Sequence, residues 1–350
     1  MSSDKHIKST NPDFLDNRII FLDGLIGGGK TLMSQIMSSI QNVEMWQFKS
    51  KYEHVCALHE LGEINLNGAA SLIKLWLDEE ADDASTLRHA NYRFQDQSSI
   101  FKYPRKSEYI KRLFESGGKE SLDKFVRQKR VLNFMTHSNT AFSKPIFEAL
   151  NERLIFIRFN RCPLSVYMVN HLSNWSERFG KDVRNGMLLS RSSKDSSEIP
   201  FFIQKRRELY SDSSPIDRAI FMLEEWQTRG DLFIDKEVKD YKSSIFDIPF
   251  EDFVFYPDKY LSQITSIMNA DIDSKVRKEM KKQQVPRNSL TDAPYDKNYE
   301  RMGWKPPTSH PSILVELKEA EKEIKKRASK EAFEILKNLT EDYFSRYKIT

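Results

Sequence analysis

Cysteine is almost missing from this chain. Only Cys56 and Cys162 occur in 350 residues, which excludes the disulfide framework of a small secreted domain and suits a reducing compartment. Each reads as a packed thiol before it reads as a nucleophile. Long apolar runs are missing too. No window approaches the ~20 residues of a membrane-spanning helix, and the polar stretch 1–16 lacks the apolar centre of a secretory signal. The expectation is a cytoplasmic protein with no membrane span. Nor is there an excess of one charge. The 55 Lys and Arg are interspersed with 51 Asp and Glu, and a net charge of +4 builds no basic face for nucleic acid. Internal repeats and low-complexity tracts are also absent.

What remains is a composition of 39% hydrophobic and 12% aromatic residues, enough for one large core with appendages. Residues 18–23 (RIIFLD) form a short apolar run of the kind found in strands buried on both faces. After Thr31, the residues Leu32, Met33, Ile36, Met37 and Ile40 recur at helical spacing. Between them, 24–31 reads GLIGGGKT and satisfies G-x-x-x-x-G-K-[ST] completely. Strand, glycine turn and helix in this order make an anion cradle. Gly24, Gly27, Gly28 and Gly29 let the backbone amides converge, the helix N-terminus adds partial positive charge, Lys30 supplies a mobile cation, and Thr31 an oxygen. The expected architecture is a three-layer α/β P-loop fold, with a central, mostly parallel sheet, helices on both faces and a C-terminal helical extension.

The motif points to phosphate binding and leaves the reaction open. A nucleotide triphosphatase usually ends a second core strand with an Asp that holds magnesium, whereas the clearest later strand, 154–158 (LIFIR), ends in a cation suited to another phosphate. The fragment 54–58 (HVCAL) reads as a second strand, which would put His59 and Glu60 at the same sheet edge as candidate bases.

At this point the chain resembles the P-loop sulfotransferases, in four pieces that follow the family's order over about residues 18 to 270. The P-loop is the first. The second is 135–138 (MTHS), similar to the family's Thr-His segment. The third is 154–166 (LIFIRFNRCPLSV), similar to its strand followed by Arg-x-Pro. The fourth is 248–257 (IPFEDFVFYP), leading into the helical 260–267. The resemblance implies 3′-phosphoadenosine-5′-phosphosulfate as donor, His137 and Lys30 as catalytic residues and Arg161 on the donor's 3′-phosphate. It demands no metal. The acceptor would be a hydroxyl or amine of a small molecule, glycan or peptide. Three departures stand against the pattern. The loop has the composition of a nucleoside triphosphate site, the position where the family carries Ser is Val169, and the basic stretch 285–289, with Arg287, matches no family motif. Glu251 and Asp252 read as structural hydrogen-bonding groups.

Two other readings compete. In the first, the same loop serves a nucleoside or small-molecule kinase with ATP and Mg²⁺; the loop also resembles that of deoxynucleoside kinases. The segment 178–184 would then supply lid cations, and Asp23 or Glu60 would serve the metal. In the second, a non-catalytic nucleotide-binding module presents its long terminal helix to a protein partner.

Organisation along the chain is expected as a polar tail over 1–16, the P-loop domain over 17–280, an irregular wrapping segment over 281–311 anchored by Trp304, and an amphipathic helix or helical pair over 312–350. Within the domain, Val166, Val169, Leu172 and Trp175 mark one helix, and Ala219, Leu223 and Trp226 another, with a strand region over 246–255. The polar stretch 190–214, interrupted by 199–203 (IPFFI), reads as a cover over the acceptor or a plain surface loop. The terminal stripe, including Leu317, Ile324, Ala332, Leu339 and Tyr343, is expected to pack back onto the core, with a homodimer contact as the alternative.

Overall fold

A parallel sheet can put neighbouring strands side by side only if each crossover carries enough chain to return to the same end, and helices supply that length here. The structure is a computed structural model, and it describes residues 14–183, 186, 188–191, 198–203, 205–293 and 312–349. Strand β1 (Ile19–Asp23) leads into α1 (Lys30–Ser39). The short β2 (Gln47–Phe48) is followed by α2 (Ser50–Glu60), α3 (Leu66–Thr86), α4 (Lys106–Arg112) and α5 (Lys119–Arg127). Next come β3 (Leu132–Met135), α6 (Lys144–Leu150), β4 (Leu154–Asn160) and α7 (Val166–Ser176). A hairpin of β5 (Leu189–Arg191) and β6 (Glu198–Pro200) precedes α8 (Arg207–Tyr210) and α9 (Pro215–Leu232). Then β7 (Ser244–Pro249) runs into α10 (Phe250–Phe255), α11 (Pro257–Ile267) and α12 (Ser274–Lys282); α13 (Ile313–Lys325) and α14 (Lys330–Tyr347) close the described chain.

The main sheet has the order β2-β3-β1-β4-β7, and every pairing in it is parallel. Every residue of β1, β3 and β4 is buried, as expected of strands covered on both faces. One face packs against a core that includes Tyr52, Phe147, Met168 and Trp226, and the other against Ile36, Phe253, Leu261 and Val276. The α/β fold with a central parallel sheet and helices on both faces is therefore the one the sequence implies. Its β1 and α1 lie where the periodicity puts them, and no helix among the described residues is long and apolar enough to cross a membrane.

Four local expectations fail. Segment 54–58 is not a strand but the middle of α2. Its apolar residues Val55, Cys56 and Ala57 face the core through one side of a helix, and only the two-residue β2 precedes it. The strand region near 246–255 stops at Pro249, which has no N–H for further pairing and becomes the cap residue of α10. Residues Ile199, Phe201, Phe202 and Ile203 form no cover. They are buried in the core, with Phe202 4.4 Å from the Trp226 ring centroid and Phe201 4.9 Å from that of Phe142. Finally, Arg158 at the end of β4 offers its charge to no phosphate, because Asp231 (2.6 Å) and Asp247 (3.6 Å) take it inside the protein.

The terminal segment is a helical pair. The faces carrying Ile324, Ala332, Leu336, Leu339 and Tyr343 are buried, and α14 packs on α9. Its end clamps the carboxyl edge of the sheet. The Tyr347 hydroxyl donates to Asp247 (2.7 Å), and Arg346 reaches Asp235 (2.8 Å) and Asp247 (2.9 Å). Trp304 and the rest of 294–311 lie outside the described residues.

Candidate active site

Two glycines are required by the geometry of the loop between β1 and α1. At Gly24, with φ 154°, a Cβ would lie 2.1 Å from the Phe159 carbonyl oxygen. Gly29 caps α1 at φ 90°, and a Cβ there would meet the Phe250 ring at 2.7 Å. Gly27, Gly28, Gly29, Lys30 and Thr31 line a cavity of about 750 Å³ at the carboxyl ends of the strands. Gly24 does not line it. It lies below, where its carbonyl accepts from Lys30 Nζ (2.6 Å) and from the backbone N–H of Ser138 (2.9 Å).

Lys30 is folded back onto its own loop, donating also to the Leu25 carbonyl (2.8 Å). Burial pushes its ammonium down to about 8, against the attraction of Asp23 and Glu53. An incoming anion offers this cation a stronger partner than two neutral carbonyls.

His137 follows β3 directly, and three contacts fix the turn that carries it. Thr136 donates to Asp23 (2.8 Å), Asn139 N–H donates to the same carboxylate (3.0 Å), and the Ser138 amide is held by Gly24. The Glu53 carboxylate, from α2, then takes the backbone N–H of His137 (2.6 Å) and faces its Nδ1 at 3.3 Å. The imidazole sits edge-on to Phe48 (4.5 Å between centroids) and beside Trp175 (5.9 Å), in the wall of the P-loop cavity. Among the described residues Nε2 has no hydrogen-bond partner.

Arg161, at the start of the loop after β4, also lines the cavity, with its guanidinium 4.6 Å from the Phe250 centroid. Arg287 lies on the same ring at 5.4 Å, is buried, and is braced by the carbonyls of Leu290 (2.9 Å) and Gln284 (3.2 Å). Val169 lies within the core on the inner side of α7. Tyr167 and His171 of the same helix line the cavity instead. Glu251 accepts from the Cys162 amide (3.1 Å) and the Tyr343 hydroxyl, and Asp252 from Lys259 (2.7 Å) and the Tyr260 hydroxyl.

Several candidates are not brought to the cavity. His59 and Glu60 end α2, where His59 Nδ1 lies 3.1 Å from the Ile64 carbonyl and Glu60 pairs with Arg229. Asp23 is fully buried and committed to four hydrogen bonds from Thr136, Asn139 and Thr140. Arg178 is not among the lining residues, and Arg184 lies outside the described residues. Both cysteines are free and buried; burial pushes the Cys56 thiol up to about 12 and Cys162 higher still, so neither is a nucleophile. Glu53, Gln35, Trp46 and Lys282 have no motif that singles them out, and only the fold brings them to the site.

No protein-family profile and no curated protein matches the chain. Among solved structures it is similar to a sulfotransferase of Mycobacterium avium, at 11% identity over 97% of this chain and 79% of that one, with a TM-score of 0.44. It is also similar to the sulfotransferase domain of the Synechococcus PCC 7002 olefin synthase, at 12% identity over 89% and 96%, TM-score 0.40. A third is the sulfotransferase domain of the curacin biosynthetic pathway, at 11% identity over 89% and 99%, TM-score 0.36.

Proposed function

We propose that this chain is a sulfotransferase-like transferase that uses 3′-phosphoadenosine-5′-phosphosulfate as donor and modifies a hydroxyl or amine. The observation that carries the reading is the charge of the cavity. Lys30, Arg161, Lys282 and Arg287 line it, and no Asp or Glu does among the described residues. A donor with a phosphosulfate at one end and a separate 3′-phosphate needs cations in two places, and the P-loop and the Arg161–Arg287 pair supply them. A magnesium nucleotide would want a carboxylate nearby, yet Asp23 and Glu60 are both engaged elsewhere.

When bound, the donor supplies a sulfuryl group on a phosphate leaving group: the acceptor oxygen or nitrogen forms a bond to sulfur, the bond from sulfur to the 5′-phosphate oxygen breaks, and adenosine 3′,5′-bisphosphate departs. Lys30 and the loop amides hold the oxygens on which negative charge gathers, in a site where fixed donors are worth more than in water. With Nδ1–H directed at Glu53, His137 presents Nε2 as the unprotonated nitrogen, and it takes the acceptor's proton. Glu53 keeps the ring oriented and stabilises the imidazolium that results.

Calorimetric titration of the purified protein tests this. The expectation is tight binding of adenosine 3′,5′-bisphosphate without metal, and weaker binding of a non-hydrolysable ATP analogue with magnesium. The opposite preference would replace the proposal with a kinase.

A further inference from the structure

The guanidinium of Arg161 lies over the rings of Phe250 (4.6 Å to the centroid) and Tyr167 (5.9 Å), and it makes no hydrogen bond or ion pair with the described residues. A cation over a ring is held at a distance but can slide and turn, so the place of this side chain in the cavity depends on where the backbone carries it. β4 ends at Asn160, and Arg161 is the first residue beyond the sheet.

The peptide groups on both sides of Arg161 are held from outside their own loop. Glu251, in the first turn of α10, accepts the Cys162 N–H (3.1 Å) on one carboxylate oxygen and the Tyr343 hydroxyl on the other. The same hydroxyl lies 3.4 Å from the Asn160 carbonyl, 183 positions earlier in the chain. Tyr347, one turn further along α14, places its hydroxyl 2.7 Å from the Asn160 side-chain amide. Glu251 is 3% exposed and Tyr343 2%. Buried groups of this kind cannot exchange one another for water, so the arrangement is stiff. Glu251 also follows Phe250 directly, so a single turn carries both the ring under the guanidinium and the carboxylate that holds the next peptide. α14 itself packs on α9, and none of its residues lines the cavity.

We propose that α14 is a positioning element of the donor site, with Tyr343 acting through Glu251 and the Asn160 carbonyl to fix the backbone around Arg161 and hence the place of its guanidinium for the 3′-phosphate. This rests on the reading of Arg161 as a donor contact. Two-point pairing of a guanidinium with a phosphate tolerates displacements of only about 0.5 Å, and a backbone held on both sides of the residue supplies that precision. Tyr343 is the informative position. Glu251 also attracts Arg161 by its charge, so replacing it would mix charge with position, whereas Tyr343→Phe removes one hydroxyl and leaves every charge in place.

The test is calorimetric titration of the whole chain with adenosine 3′,5′-bisphosphate and with adenosine 5′-monophosphate. Tyr343→Phe should raise the Kd of the bisphosphate about tenfold and that of the monophosphate less than about twofold. In the Arg161→Ala background the same change should alter bisphosphate affinity by less than about twofold, because the group being positioned is gone. A hydroxyl that only stabilises the fold would weaken both nucleotides alike and act equally in both backgrounds. Either result overturns the inference, as does an unchanged bisphosphate Kd in a variant shown by its melting temperature to be folded. If Tyr343→Phe does not fold, hydrogen exchange of the parent decides. At equal occupancy the bisphosphate should slow the amides of 338–347 more than the monophosphate does, and equal slowing overturns the inference. Failure of the donor reading is seen separately and first, as absence of bisphosphate binding in the parent, and the inference falls with it.

Discussion

A single carboxylate oxygen of Asp23 accepts both the backbone N–H (2.7 Å) and the hydroxyl (2.5 Å) of Thr140. The other oxygen takes the Thr136 hydroxyl (2.8 Å) and the Asn139 amide (3.0 Å). One fully buried side chain at the end of β1 thereby holds the whole turn after β3 on which His137 rides.

Asp23→Asn replaces an all-acceptor group with one whose nitrogen can only donate, so two buried donors lose their partner. The expected loss is about 2–4 kcal/mol, read as a lower denaturant midpoint at unchanged slope. A midpoint indistinguishable from that of the parent would show that the turn is held by other contacts.

His137→Ala should leave bisphosphate affinity intact and remove turnover by about 10²–10⁴-fold. Glu53→Gln is the sharper variant. Its carbonyl can still accept the His137 amide, but the charge that stabilises the imidazolium is gone. We expect kcat to fall by roughly 10²-fold with bisphosphate affinity unchanged. Full activity in Glu53→Gln would reduce the pair to a structural contact.

Binding of the anionic nucleotide should weaken as pH rises. Lys30 titrates at about 8, lowered by burial, so its charge is complete below that value and is lost above it. Affinity should fall up to tenfold per pH unit beyond 8, with proton uptake on binding. For the unliganded fold the sign is reversed. Between about 8 and the ordinary value of 10.5 the unfolded chain binds more protons, so stability rises with pH in that window. Glu316 on α13, pushed up to about 7 by burial, feels Arg161 and Arg287. Its ionisation above 7 opposes a second anion near them, and Glu316→Gln should flatten the affinity profile between pH 6 and 8, an approximate window set by that titration. Titrations across this range in buffers of matched ionic strength measure both effects, and a profile flat to pH 9, well above that approximate Lys30 value, would contradict the role of Lys30.

Arg161→Ala and Arg287→Ala should each weaken adenosine 3′,5′-bisphosphate by about 1.5–3 kcal/mol, the worth of a hydrogen bond to a charged group, and adenosine 5′-monophosphate much less. Equal losses for both nucleotides would place these guanidinia on some other part of the ligand.

Much of the frame was legible in the chain. The run 18–23, the glycine loop and the periodic residues after Thr31 are each local patterns whose conformations are dictated within a few residues, and the structure has them as β1, loop and α1. Placing Lys30, Thr31, His137 and Arg161 around one cavity followed from strand ends lying together in a parallel sheet. Residues 54–58 lie in α2 and not in a strand. A five-residue, largely apolar fragment fits a buried strand or a stretch of helix equally well, and only packing against β1 and β3 through Tyr52 decides between them. Arg158 was misread for a related reason. Whether a cation at a strand end is free for a phosphate depends on Asp231 and Asp247, far away in sequence.

The sequence by itself therefore determined the strand, glycine loop and helix at the start of the domain and the layered α/β frame, because both arise from short-range backbone preferences and hydrophobic period. The tertiary structure alone decided which charges are available: it paired Arg158, committed Asp23, turned Val169 inward, and brought Glu53 to His137 from 84 positions away. Availability is set by burial and by partners distant in the chain, and neither is written in local pattern.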